Sequence, residues 1–198
     1  MKSVNLTREQ LLARVAPFSS LSREEGGFPD SDIPGCQRAI LNVLGYEEPE
    51  KVAGEEMSSP LGDKGSASSA IPVSEGINIG FVECTPGEGV VAHNHDTNET
   101  FTVINGRWRF VCNDDDDMYV DLEPLDTISF PTGVERRFTN LSSDRGDDSP
   151  SLVLVAVAGD RPGAFFRRET LEQARTTGKY TAMVERRQGV VTPNPDSN

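Results

Sequence analysis

The chain has 198 residues, of which 35% are hydrophobic and 26% charged, and a formal net charge of -13. That length holds one domain with extensions and buries a core without staples, while the acidity sets the surface against phosphate backbones and anionic membranes, so no nucleic acid and no membrane is expected as a partner. No apolar run approaches membrane-spanning length, residues 1–10 lack an apolar signal core, and Cys36, Cys84 and Cys112 are too few and too unpatterned for a disulfide framework. A reducing cytoplasm is the expected location.

In chain order, residues 5–16 read as a short helix, with Thr7 as cap, Gln10 at the capping-box position and an apolar stripe of Leu11, Leu12 and Val15. Residues 19–34 are polar and rich in Gly and Pro, an irregular arm outside the core. Residues 38–46 read as a peripheral strand, and 47–69 as a long acidic loop or linker. Alternation then marks 77–84 as a half-buried strand. The run 99–104 ends in Asn105-Gly106, a hairpin signal, with 107–112 as the return strand. The acidic run Asn113 to Asp117 lacks the glycine and distal glutamate of a calcium loop and reads as a solvated hairpin tip. Short strands at 118–122, 127–130, 135–140 and 152–158, separated by Pro, Gly and Asp, argue for an all-β barrel or sandwich. Residues 169–178 read as a helix closed by Gly178, and 190–198 as a loose tail.

The chemistry concentrates at His93 and His95, the only two histidines of the chain. Two apart on a strand, their imidazoles share a face. Glu99 opens the next strand-like run, and a turn at Asp96-Thr97-Asn98 would make the two strands antiparallel and bring the carboxylate to the imidazoles. Two neutral nitrogens and one carboxylate suit a divalent metal with open positions. The plainer alternative is a solvated His-x-His turn.

The series Gly87, His93, His95, Glu99, Gly106, with gaps of five, one, three and six residues, resembles the first cupin motif in full. Pro131, Gly133 and Asn140 fall in register with the second, where Leu125 replaces the leading glycine and Arg136 the histidine. The resemblance covers roughly residues 75–160 and implies an all-β, double-stranded β-helix (jelly-roll) barrel with short peripheral helices at the N- and C-termini. It divides the chain into an arm and linker (1–74) packing on the barrel or a partner subunit, the barrel (75–160), and a C-terminal helix and tail (161–198). It also implies a homodimer.

Arg136 departs from the family's three-histidine, one-glutamate set, since a guanidinium offers no lone pair and stays protonated. Two readings follow. In one, His93, His95 and Glu99 keep a divalent transition metal (Fe first; Mn, Ni or Zn otherwise), and Arg136 serves catalysis by holding a substrate carboxylate. In the other, Arg136 pairs with Glu99, no metal is held, and the barrel binds or senses a small ligand without turnover. By alternation, Phe101, Trp108, Phe110, Phe138 and Asn140 face the interior, as substrate-pocket lining or as ordinary core. Arg137 is expected to point away from Arg136, to surface or interface. The first expectation for function is a dioxygenase-like oxidoreductase acting on a small anionic or aromatic molecule. A cupin isomerase or lyase is the other enzymatic possibility.

Overall fold

The computed structural model describes residues 3–45, 47–50, 52–60, 68–113 and 115–177. Gly178 and the tail at 190–198 lie outside the described residues. Within them are the short α-helices α1 (Arg8–Leu12) and α2 (Arg168–Thr177), a 3-10 turn at Phe18–Ser20, and twelve strands. The strands are β1 (Arg23–Glu25), β2 (Ala39–Leu44), β3 (Glu56–Ser58), β4 (Ile77–Cys84), β5 (Gly89–His95) and β6 (Glu99–Val103). They continue as β7 (Arg107–Cys112), β8 (Tyr119–Leu122), β9 (Thr127–Phe130), β10 (Arg136–Ser142), β11 (Ser151–Ala158) and β12 (Ala164–Phe166). Among the described residues no helix is long and apolar enough to cross a membrane.

The strands form two antiparallel sheets, one ordered β1-β2-β4-β11-β6-β9 and the other β3-β12-β5-β10-β7-β8. From β4 onward nearly every turn carries the chain from one sheet to the other, which is the jelly-roll winding. The first sheet presents its alternate residues to the barrel interior: apart from the exposed first residue of β4 and last of β11, strands β4, β6 and β11 alternate buried and half-buried positions. The interior is aromatic. Phe101, Trp108, Phe110, Phe130 and Phe138 are all buried, with ring centroids of neighbouring pairs 5.0 to 6.3 Å apart. A small barrel is just wide enough to be filled in this way.

Two turns expected as hairpins are instead corners. β5 and β6 belong to opposite sheets, as do β6 and β7. At Asn105-Gly106 tertiary partners redirect the chain: Asn105 Oδ1 accepts from the Leu152 amide (2.6 Å), and the Gly106 amide donates to Asp144 Oδ1 (2.8 Å). Gly106 adopts φ +74, and a Cβ there would lie 2.3 Å from Ser151 Oγ.

The N-terminal segment is more deeply engaged than its polarity implied. α1 forms with the capping box expected from Thr7 and Gln10. β2 is no loose periphery, since it pairs along β4 inside the first sheet. Residues 19–34, expected as an arm outside the core, contribute β1 and bury Phe28, Asp30 and Ile33. Asp30 is wholly buried, and its carboxylate accepts from Arg38 Nη2 (2.9 Å) and Nη1 (3.1 Å) and from the Val91 amide (3.2 Å). This makes residues 28–38 a strap bound to β5. α2 packs against β5 as well, burying Leu171 and Ala174, and Arg175 ties it to the strap through Asp32 and the Pro29 carbonyl. The acidic tip between β7 and β8 has a structural use, because Asp116 receives Arg137 (2.5 Å). Arg137, expected at the surface or an interface, is only 4% exposed.

Candidate metal centre

The site lies between the sheets, and a bulge aims it. Along β5 and β10, Phe138 is paired with Val90 but Arg136 with His93, so β5 carries one extra residue between these pairs. Such an insertion re-aims the strand beyond it. Val90 faces the interior, and His93 and His95 then do so too. The amide at the bulge, that of Val91, is the one Asp30 receives. Glu99 approaches from the opposite sheet, at the start of β6 between Phe130 and Val157.

His93, His95 and Glu99 are all buried, and their candidate ligand atoms lie within 4.8 Å of one another, the scale of one coordination sphere. His93 Nδ1 is 2.8 Å from the Val91 carbonyl oxygen, which only a donor can satisfy. Its proton is thereby fixed on Nδ1 and Nε2 keeps a lone pair, the arrangement typical of ligating histidines. The ring stacks on Phe166 at 5.1 Å and an interplanar angle of 17°. His95 Nε2 stands 3.6 Å from Glu99 Oε2. Burial foremost, and then the Arg136 charge, hold both imidazoles well below the usual histidine range, so both are neutral near pH 7.

Arg136, wholly buried, sits beside His93 on the neighbouring strand, where the motif places a third histidine. Its Nε and Nη2 both donate to Glu99 Oε2, at 2.9 and 2.6 Å, and Nη1 donates to the Val134 carbonyl at 3.1 Å. Among the described residues nothing donates to Oε1. The set thus fits a divalent ion in donor type: two neutral nitrogens, one of fixed tautomer, and a carboxylate with one oxygen uncommitted. The cation beside it weakens such binding without removing a ligand.

The void next to the histidines is about 30 Å³, walled among others by Phe28, Ser58, Phe138, Ala164 and Phe166. Phe138 borders it. Phe101, Trp108 and Phe110 pack in the aromatic core, and Asn140 is occupied with backbone, donating to the Cys84 carbonyl (2.8 Å) and accepting from the Ser142 amide (3.1 Å). Of the wall, Phe28 and Ser58 come from segments whose polar composition gave no sign of a site. Cys36 and Cys84 are buried free thiols pushed far up by desolvation, hence inert.

Residues 80–147 match the model of the cupin domain family. The polyketide cyclase RemF from Streptomyces resistomycificus superposes with a TM-score of 0.53 at 14% identity, over 85% of this chain and 96% of that one. A sugar phosphate isomerase of the cupin superfamily from Silicibacter pomeroyi DSS-3 gives a TM-score of 0.45 at 17% identity, covering 72% of this chain and 73% of its own. KdgF from Halomonas sp. gives 0.44 at 14%, covering 73% and 94%. No curated protein sequence matches the chain. The match places a cupin domain at residues 80–147, and at 14% identity the likeness to RemF speaks for the fold alone.

Proposed function

We propose that the protein is a metal-dependent cupin enzyme in which His93, His95 and Glu99 hold one divalent transition metal, iron first. Its expected chemistry is a dioxygenase-like oxidation of a small anionic or aromatic molecule. The observation that carries this is the fixed Nδ1 tautomer of His93 beside a second neutral imidazole and a carboxylate, all buried. A metal held by two histidines and one carboxylate supplies Lewis acidity and redox capacity, with open positions for substrate and oxygen.

The chain's own residues do the rest. Arg136 orients Glu99, and its charge favours an anionic group at this end of the barrel. The aromatic core excludes water. The void holds about one water, so an organic substrate enters only where the wall of Phe28 and Phe166 gives way.

A second reading has its own observation. The two hydrogen bonds from Arg136 to Glu99 neutralise the carboxylate without a metal, and the barrel is then a metal-free binding pocket. Elemental analysis of tag-free wild type and Arg136→His separates the two. Near-stoichiometric metal in wild type supports the enzyme. Metal only in Arg136→His, which restores a third imidazole, supports the pocket.

The fold serves isomerases and lyases equally, so the reaction is assigned by substrate screening once metal is found. We place the protein in the reducing cytoplasm, on the strength of its free thiols, and as a homodimer. Val4, Leu6, Leu11, Leu12, Val15 and Phe18, each about half exposed or more, support the dimer, which light scattering tests.

A further inference from the structure

Two buried polar atoms at the barrel mouth have no partner among the described residues, and both face the same void. Ser58 is 8% exposed and His95 1%, and neither Ser58 Oγ nor His95 Nδ1 meets a hydrogen-bonding group of the described residues. Strand register brings the two residues together. Ser58 on β3 and His95 on β5 both lie opposite Ala164 of the intervening β12. Residues opposite one another in antiparallel pairs present their side chains to the same face. Both therefore point into the barrel, with only the Ala164 methyl between them. The void of about 30 Å³ touches all three residues. A single water needs roughly 10–15 Å³ of such volume and at least two polar partners. A buried polar atom without a partner is costly, so a water here relieves two such costs at once.

We propose that this void is a one-water site, in which the water accepts the Nδ1 proton of His95 and donates to Ser58 Oγ. In that orientation Ser58 is a positioning residue that holds, through the water, the Nδ1–H tautomer of His95. A neutral imidazole carries one proton. With Nδ1 unpartnered, that proton belongs on Nε2, towards Glu99 Oε2 at 3.6 Å, and the ring has no lone pair to offer at the centre. With Nδ1–H held by the water, Nε2 is bare and matches His93, whose Nδ1 is held by the Val91 carbonyl. The two histidines are then prepared as ligands by different devices: one by the backbone of its own strand, the other by a hydroxyl two strands away. The consequence for metal affinity rests on the metal reading above; the tautomer does not.

The test uses full-length protein labelled with ¹⁵N-histidine, stripped of metal and held above the histidine titration range. With only two histidines in the chain, long-range ¹H–¹⁵N spectra resolve both rings. The expected wild-type result is the Nδ1–H form for both. In Ser58→Ala, His95 is expected to change to Nε2–H while His93 stays as it was, an internal check that the fold is kept. Ala164→Val fills the void, leaves the hydroxyl in place, and is expected to give the same change. An Nε2–H form of His95 in wild type overturns the proposal outright, whether or not either variant folds. So does an Nδ1–H form that persists in both variants. Chelator competition is expected to show about tenfold weaker metal binding in Ser58→Ala. Wild type that binds no metal would sink the metal reading and leave the tautomer assignment standing.

Discussion

Arg136 donates twice to a single oxygen of Glu99, joining the two sheets through a buried ion pair at the floor of the site. The pair couples stability to ligation, because the carboxylate offered to a metal is the one that holds the guanidinium. Breaking a buried pair from one side leaves an uncompensated charge, at a cost of about 3–5 kcal/mol. Arg136→Met should lower the urea midpoint accordingly, and Arg136→Met with Glu99→Gln should recover a large part of the loss. If the double variant is as unstable as the sum of the singles, the two side chains are not coupled as the geometry requires.

The buried imidazoles make metal-free protein sensitive to mild acid. Their folded values are depressed below the ordinary 6.5 by burial and by Arg136, so between those folded values and 6.5 the unfolded chain binds more protons than the native one. Stability therefore rises with pH across that window and is lost as pH falls below about 6.5, at about 1.4 kcal/mol per pH unit for each histidine. Urea titrations in the presence of chelator, taken at several pH values across the window, should show this slope. His93→Gln with His95→Gln should flatten it, and an unchanged slope in that double variant would assign the acid sensitivity elsewhere.

How much of this was written in the sequence depends on range. The His-x-His spacing fixes a shared face by strand geometry alone, and the motif gaps put Arg136 beside His93, where the register has it. The interior faces of β6, β7 and β10 followed from alternation. What stayed hidden depends on distant partners. Asn105-Gly106 turns as a corner because Leu152 and Asp144 claim its polar groups. Arg137 is buried because Asp116 reaches it across the strand tips. Phe28 and Ser58 lie in stretches whose local composition is that of loops, and only the completed sheets draw them to the mouth. The bulge in β5 leaves no local mark either, since no glycine or proline stands at Val91 or Ala92.

Leu125 shows a motif position preserved in backbone but not in side chain. It stands where the family pattern has glycine, and it adopts φ +76 with 80% of its surface exposed. A left-handed conformation costs an L-residue about 1–2 kcal/mol, against about 0.5–1 kcal/mol of extra chain entropy lost by glycine. Leu125→Gly should accordingly stabilise by about 0.5–1 kcal/mol, seen as a raised Tm with the site untouched. A lowered Tm would mean that the exposed side chain has a partner worth more than the strain.

The strap makes the sharpest prediction about access to the site. Asp30 is fully buried and holds both the Arg38 guanidinium and the bulge amide of Val91, while Arg38 also lies 4.1 Å from the centre of the Phe28 ring. Phe28 and Arg38 both wall the void at His93 and His95. Asp30→Ala strands a buried guanidinium and a buried amide together, and about 3–5 kcal/mol should be lost from the strap's attachment. Most of that loss should fall on local opening, because the barrel sheets keep their own pairing. Limited proteolysis should then cut the variant near Gly26-Gly27 well before wild type, and small-molecule quenchers should reach the site sooner. Asp30→Asn keeps acceptor geometry at one oxygen and should fall between the two. Equal protease resistance in wild type and Asp30→Ala would show that the strap is held by its apolar contacts, Phe28 and Ile33, and that the ion pair is not its latch.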